Sequence, residues 1–306
     1  MKPLDSGAVA TGLTHREAVA WTVLGALLWS IAGLVTRRLE SAAGFEVTFW
    51  RSVFAAATVL AWLLAGQGRR ALAPLRHGGA PVLVSGVMWA VMFTCFMVAL
   101  TLTSVANVLI TQSLAPVFTA LLASAVLGKR IAARTWVAIV VAALGIATMY
   151  AFDIVGLEGR HLVGVLVALG IPAAAAVNWV NTQRAGRGLD LTSSVLLGAL
   201  LSMLLTLPLA WPLQASAHDI GLLALLGVVQ LGIPCILVVR AARRLAAHEV
   251  ALLALLEVLF GIVLAWAFAG ERPGTATLFG GALVLAALVW NELAARDEPP
   301  SESVLA

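Results

Sequence analysis

Charged residues are scarce in this chain of 306 residues: Asp, Glu, Lys and Arg make up 11% of it, against roughly 25% in ordinary soluble domains. Hydrophobic residues make up 61% and the mean hydropathy is +1.01, which excludes a soluble globular protein and a disordered chain. Cysteine is nearly absent. Cys95 and Cys235 both lie inside apolar runs, so we expect two free thiols. The composition indicates an integral membrane protein.

Side chains that could form a catalytic or metal centre are also few. The five histidines lie at or outside the ends of the apolar runs and share no short spacing, and no paired acids or Ser/His constellation accompanies them. We therefore expect no catalytic residues, no metal and no cofactor, and a membrane-embedded lipid enzyme is only a remote alternative. A nucleic-acid partner is not expected despite a pI near 9.8, because the basic residues gather in loops at one membrane face.

Ten apolar runs are long enough to cross a bilayer, since a span needs about 20 mostly apolar residues. Short polar links separate them, and none shows sustained alternation. The sequence therefore predicts an all-α integral membrane protein of ten transmembrane helices. The predicted spans are 17–36, 45–65, 80–101, 104–127, 134–151, 161–182, 191–211, 219–239, 247–269 and 275–294.

Basic residues are divided unequally between the two faces of these ten spans. Fourteen Lys and Arg residues fall on the side of the termini and four on the other side, with Arg51 inside the second span. Cytoplasmic loops carry the excess of positive charge. We expect a multi-pass plasma (inner) membrane protein with cytoplasmic N- and C-termini.

The chain repeats a motif that ends an apolar run. Gly128-Lys129-Arg130 and Gly270-Glu271-Arg272 are 142 residues apart (270 − 128). Five predicted spans lie between the two stops, and because five is odd the copies end on opposite faces of the membrane. The pattern predicts two five-helix inverted-topology repeats, 1–155 and 156–306, an arrangement typical of transporters.

Several segments resemble the EamA-type branch of the drug/metabolite transporter superfamily, over essentially the whole chain. They are Gly25-Ala26-Leu27-Leu28-Trp29-Ser30, Phe49-Trp50-Arg51, the stretch from Ala115-Pro116-Val117 to the first stop, Leu256-Glu257-Val258 and Ala269-Gly270-Glu271-Arg272. The family commonly has proline after that glutamate and an acid before both closing arginines. Here Val258 and Lys129 depart from the pattern. The sequence most resembles the exporters of aromatic and other neutral amino acids.

The resemblance implies a secondary transporter that exports small amphipathic solutes, such as aromatic and neutral amino acids, by alternating access around a midplane cavity. A multidrug or metabolite exporter of the same fold with another substrate is the alternative. The expected partners are the lipid bilayer, a small-molecule substrate and, through the mid-span acid Glu257, protons. The chain is expected to be a monomer or a weak homodimer.

Polar and aromatic side chains near the middle of the spans are the candidates for that cavity. The alternative is that the polar stripes are packing seams and the aromatics ordinary core residues. The candidate cavity residues are Trp29, Ser85, Trp89, Met92, Asn107, Thr111, Gln112, Asn178, Trp179 and Gln230.

Two prolines share a spacing that suggests hinges. Pro116 follows Gln112 by four residues and Pro234 follows Gln230 by four. Proline frees the carbonyl four residues earlier and bends the helix. Each site is therefore a candidate hinge whose glutamine side chain could bind substrate. The alternative is that the glutamine amide only hydrogen-bonds the backbone groups that the proline leaves without a partner.

Glu257 is the one acid near the middle of a predicted span. A charge there costs roughly 2.5–3.5 kcal/mol on insertion scales. It is a candidate proton-coupling or amine-binding residue, or else a structural acid paired with Asn107 or Gln230. Arg51 lies about six residues from an external helix end, so we expect it to snorkel to the interface, with Glu46 as its partner.

Overall fold

The computed structural model describes residues 14–42, 44–68, 72–128, 133–151, 159–185, 192–241, 245, 247–268, 270 and 272–296, and every regular element in that part of the chain is helical. We number the helices by predicted span. They are α1 (His15–Ser30, continued by Ala32–Thr36), α2 (Phe45–Gln67), α3 (Gly79–Leu102), α4 (Val105–Gln112, continued by Ala115–Leu127), α5 (Ala133–Ala151), α6 (Gly159–Ala185), α7 (Thr192–Ala210), α8 (Ala217–Leu225, Leu226–Gly232 and Ile233–Ala241), α9 (Ala247–Phe268) and α10 (Thr275–Arg296).

Each predicted span corresponds to one of these helices, with ends that differ by at most three residues. Seven of them, α1 to α4 and α6 to α8, are long and apolar enough to cross a membrane. The other three contain shorter apolar segments, Ala133–Gly145, Leu256–Phe268 and Leu278–Asn291. The fold is thus that of a helical membrane protein. A short helix before α3, Ala73–His77, was not predicted.

The two repeated stops end helices in the same way. Gly128 caps α4 with φ of +67°, and Gly270 follows α9 with φ of +71°. This left-handed region is open to glycine and costly for other residues, which explains why both copies of the motif begin with glycine. Lys129, Arg130 and Glu271 lie outside the described residues.

Eight of the helices pack side by side in a closed ring. Going round it, the order is α1, α8, α2, α7, α3, α6, α4, α9 and back to α1. Helices α5 and α10 pack against each other and against α4 and α9, outside the ring. Polar groups that face the inside of the ring are therefore shielded from lipid.

The ring has a regular pairing pattern. Each helix of the first five has a counterpart five places later, so that α1 corresponds to α6 and α3 to α8. When every helix is replaced by its counterpart, the α1–α8 contact becomes α6–α3. In the same way α1–α9 becomes α6–α4, and α2–α8 becomes α7–α3. All of these pairs are in contact, while α2–α7 and α5–α10 map onto themselves. The helix packing thus has an approximate twofold character.

Two buried carboxylates tie helix ends together on the face that the charge count predicts to be external. Asp219 accepts the backbone amides of Glu40, Ser41 and Ala42 at 2.8–2.9 Å. Glu46 accepts the amides of Gln214 and Ala215. These bonds fix the loop after α1 to α8 and the start of α2 to the loop after α7. The expected pairing of Glu46 with Arg51 is wrong, because its carboxylate is used here.

Candidate functional site

Arg51 points into the ring and not toward the membrane interface. Its side chain is 2% exposed. Its Nε donates to Oε1 of Gln230 at 3.0 Å, and its Nη1 contacts the carbonyl oxygen of Phe93 at 3.5 Å. The expectation of a snorkelling side chain is therefore wrong. A depth of six residues is about 9 Å along a helix, which a long side chain could span, but the rotation of α2 directs Arg51 inward.

Aromatic rings surround the buried guanidinium. Its central carbon lies 5.9 Å from the ring centroid of Phe93 and 5.7 Å from that of Phe96, distances suited to cation–π attraction. Trp89 extends this cluster, with its ring 5.4 Å from that of Phe93. The buried guanidinium is thus in contact with aromatic rings as well as with hydrogen-bond acceptors.

Gln230 positions the arginine from the neighbouring helix α8. It lies in the π-helical part of α8, Leu226–Gly232, and is 1% exposed. Its Nε2 donates to the carbonyl oxygen of Trp29 at 3.1 Å, so the side-chain oxygen is directed to Arg51. One turn earlier Gly227 lets α2 approach closely, because a Cβ there would lie 2.6 Å from the Arg51 carbonyl oxygen.

Glu257 is the acid of the site. It is 6% exposed, and its Oε2 accepts from Nε2 of Gln112 at 3.1 Å. The expected structural partners, Asn107 and Gln230, are wrong: Gln112 takes that role. The two side chains have different glutamine partners, Gln230 for Arg51 and Gln112 for Glu257.

Three irregular segments supply these groups. The carbonyl of Trp29 lies two residues before the break in α1 at Ile31, Gln112 is the last residue before the break in α4, and Gln230 is in the π segment of α8. Broken helices and π segments are where membrane carriers place ligand-binding backbone and side chains.

The two predicted hinge prolines coincide with two of these irregularities. Pro116 follows the break at Ser113 and Leu114, and Pro234 follows the π segment. In both cases the preceding glutamine bonds to another helix, Gln112 to α9 and Gln230 to α1 and α2. The break in α4 and the π segment in α8 are thus part of the structure, and hinge motion stays a prediction.

The other predicted cavity residues lie in separate places. Ser85 donates to Oδ1 of Asn178 at 2.7 Å, joining α3 to α6. Asn107, in the first turn of α4, donates to Oγ1 of Thr103, which lies two residues before that helix begins. It is five residues from Gln112, which separates the two side chains by roughly 140° around the helix.

The remaining candidates differ in burial. Thr111 is buried, whereas Trp29, Trp89 and Met92 are half-buried. Trp179 is 41% exposed, and so does not belong to the buried group.

Arg51 and the Phe93 ring are the components that reasoning from the sequence missed. A pattern that indicates the inward direction of Arg51 is the recurrence of Arg51, Ala55 and Val59 at every fourth residue, since a small and apolar stripe marks the packed side of a membrane helix. All three are buried.

The chain matches the model of the EamA-like transporter family twice, over residues 16–151 and 162–292. It belongs to that family, and it is a membrane transporter and not an enzyme. It is 27% identical over 280 residues to the pseudopaline exporter CntI in two strains of Pseudomonas aeruginosa, an alignment that covers 90% of this chain and 95% of each relative.

A solved crystal structure also superposes on this chain. The TM-score is 0.63 at 20% sequence identity, over 92% of this chain and 99% of the other. At that identity the similarity supports the fold alone.

Replacing Gly227 by alanine tests the close contact that holds Arg51. The added methyl would meet Phe54 Cβ at 2.4 Å and the Arg51 carbonyl at 2.6 Å, so α2 and α8 must separate. We expect Gly227→Ala to lower the free energy of unfolding by about 1–3 kcal/mol, measured by thermal unfolding in detergent.

The matched control is Gly221→Ala on the same helix, where no atom lies within 4 Å of the added Cβ. It should leave the melting temperature unchanged or raise it slightly, because alanine favours helix. Equal losses in both variants would contradict the close-contact account.

Proposed function

We propose that this transporter exports small zwitterionic solutes, aromatic and other neutral amino acids above all, by alternating access. The observation that carries the proposal is a buried cation and a buried acid inside one ring of helices, Arg51 and Glu257, each held by a different glutamine. A zwitterion presents one partner for each charge. A strongly anionic solute would leave Glu257 opposed by like charge.

The chemistry of the two poles fits an amino acid. A guanidinium can bind a carboxylate through two parallel hydrogen bonds. Of the five N–H donors of Arg51, one bonds to Gln230 and one to the Phe93 carbonyl, which leaves three for a solute carboxylate. The carboxylate of Glu257 can hold either an ammonium group or a proton. The rings of Phe93, Phe96 and Trp89 offer a surface for an aromatic side chain.

The proposed mechanism uses the two halves of the chain. We infer that 1–155 and 156–306 are inverted repeats and that all ten helices cross the membrane, with the termini in the cytoplasm of a plasma-membrane carrier that is a monomer or weak homodimer. The twofold helix pairing and the two family matches support the repeats. Pro116 and Pro234 then mark the points where α4 and α8 bend during transport.

A second substrate has a specific observation in its favour. The relatives named above export pseudopaline, and the alignment with them covers most of this chain. A pseudopaline-like solute is therefore the alternative substrate, and it belongs in any transport panel.

Removing one charge from the solute, or the cation from the protein, tests zwitterion recognition. In proteoliposomes we expect counterflow of phenylalanine and threonine. Compared with phenylalanine, the counterflow rate should be lower by about tenfold or more for phenethylamine, which lacks the carboxylate, and for phenylpropionate, which lacks the amine. The reason is that a charge-assisted hydrogen bond contributes about 1.5–3 kcal/mol. Arg51→Gln should transport phenylalanine poorly and lose the preference over phenethylamine.

Arg272→Gln, a change at an exposed arginine beyond the end of α9, is the control and should match the wild type. Transport of no amino acid, with transport of pseudopaline, would favour the alternative substrate. An unchanged preference in Arg51→Gln would remove the arginine from recognition.

Glu257 is the proposed coupling residue, and its neutral variant separates coupling from translocation. Glu257→Gln keeps an oxygen that can accept from Gln112 but cannot lose a proton. We expect it to abolish accumulation driven by a pH gradient while counterflow exchange continues. Glu40→Gln, at an exposed acid, is the control. Gradient-driven accumulation at the wild-type rate in Glu257→Gln would exclude this role.

A further inference from the structure

An apolar groove runs along the outside of the ring between α4 and α6. Its volume is about 400 Å³. Helix α4 contributes Phe118, Leu121, Leu122 and Ala125 to it, and α6 contributes Ala173, Ala176 and Val177. Three of these residues, Leu121, Ala125 and Ala173, are exposed, so the groove is open to the surroundings of the bundle. In a membrane those surroundings are lipid.

A cation stands at one end of this groove. Ala173, Val177 and Arg184 recur at i, i+4 and i+11 and so share one face of α6. Nη2 of Arg184 donates to the carbonyl oxygen of Val126 at 3.2 Å, and Val126 is the residue after Ala125. Arg184 is exposed. It lies seven residues beyond Val177, about 10 Å along the helix, in the last turn of α6.

We propose that this groove binds one acyl chain of an anionic phospholipid whose headgroup phosphate is held by Arg184. The apolar walls match a hydrocarbon chain, and the cation lies near the helix end, at the depth of headgroups. Water occupies about 30 Å³ per molecule and a methylene group is of similar size, so the groove has room for on the order of a dozen methylenes.

The lining of the groove favours a lipid over the transported solute. The seven side chains named are all apolar, so the charges of a zwitterion would find no partner inside it. A phospholipid instead places only its acyl chain in the groove. Its headgroup phosphate lies next to Arg184, whose guanidinium can form paired hydrogen bonds with it. Basic pockets between membrane helices bind anionic headgroups in this way.

Native mass spectrometry of the detergent-purified full chain tests the site, with phosphatidylglycerol and phosphatidylcholine of identical acyl chains as probes. We expect one phosphatidylglycerol to bind at least tenfold more tightly than phosphatidylcholine, because the quaternary ammonium of choline offsets the charge of the phosphate that Arg184 would hold. Arg184→Gln should remove that preference. Ala173→Phe, which fills the groove from an exposed position, should weaken the same binding event without changing the melting temperature.

Two matched variants serve as controls. Arg272→Gln removes an exposed arginine elsewhere, and Ala143→Phe adds the same ring at an exposed position on α5; both should bind phosphatidylglycerol as the wild type does. Equal binding of the two lipids, or an unchanged preference in Arg184→Gln, would overturn the proposal. So would loss of a dimer in Ala173→Phe, which would make the groove an interface between two copies of the chain.

Discussion

A charge inside a membrane bundle needs a polar partner, because leaving it in hydrocarbon costs several kcal/mol, and Arg51 sets this requirement for the whole structure. The guanidinium is almost completely buried, so neighbouring helices must bring acceptors and rings to it. Gln230 does so from α8 and the Phe93 carbonyl from α3. Within the ring of eight helices, the π segment and the close approach at Gly227 bring α2, α3 and α8 close enough to supply these contacts.

The ring is nearly symmetric in its packing, but its irregularities are not. Helices α1, α4 and α8 are interrupted, whereas their counterparts five places away, α6, α9 and α3, are continuous α-helices in the described part of the chain. The interrupted helices provide the Trp29 carbonyl, Gln112 and Gln230, and the continuous helix α9 provides Glu257. The two halves thus contribute different groups to the buried pairs Arg51–Gln230 and Gln112–Glu257.

Much of the helical layout follows from sequence, because apolar length and glycine stops are local properties. The helix limits, the terminating role of Gly128 and Gly270 and the burial of Glu257 were all predictable. The direction of Arg51 was not, since composition does not determine how a helix is rotated against its neighbours. Nor was the pairing of Gln112 with Glu257 predictable, because it joins residues 145 positions apart and depends on the order of helices in the ring. The spacing of Gln230 and Pro234 marked the place where α8 departs from regular α-helix, without indicating a π-helix.

We propose that Arg51 and Glu257 are the two poles of one solute-binding site. A cryo-EM structure of the chain saturated with phenylalanine tests it most directly. We expect density for the solute inside the ring, with its carboxylate within hydrogen-bonding distance of the Arg51 guanidinium and its ammonium group facing Glu257. Solute density elsewhere in the bundle, with the Arg51–Gln230 and Gln112–Glu257 bonds unchanged and no contact to either charge, would contradict it.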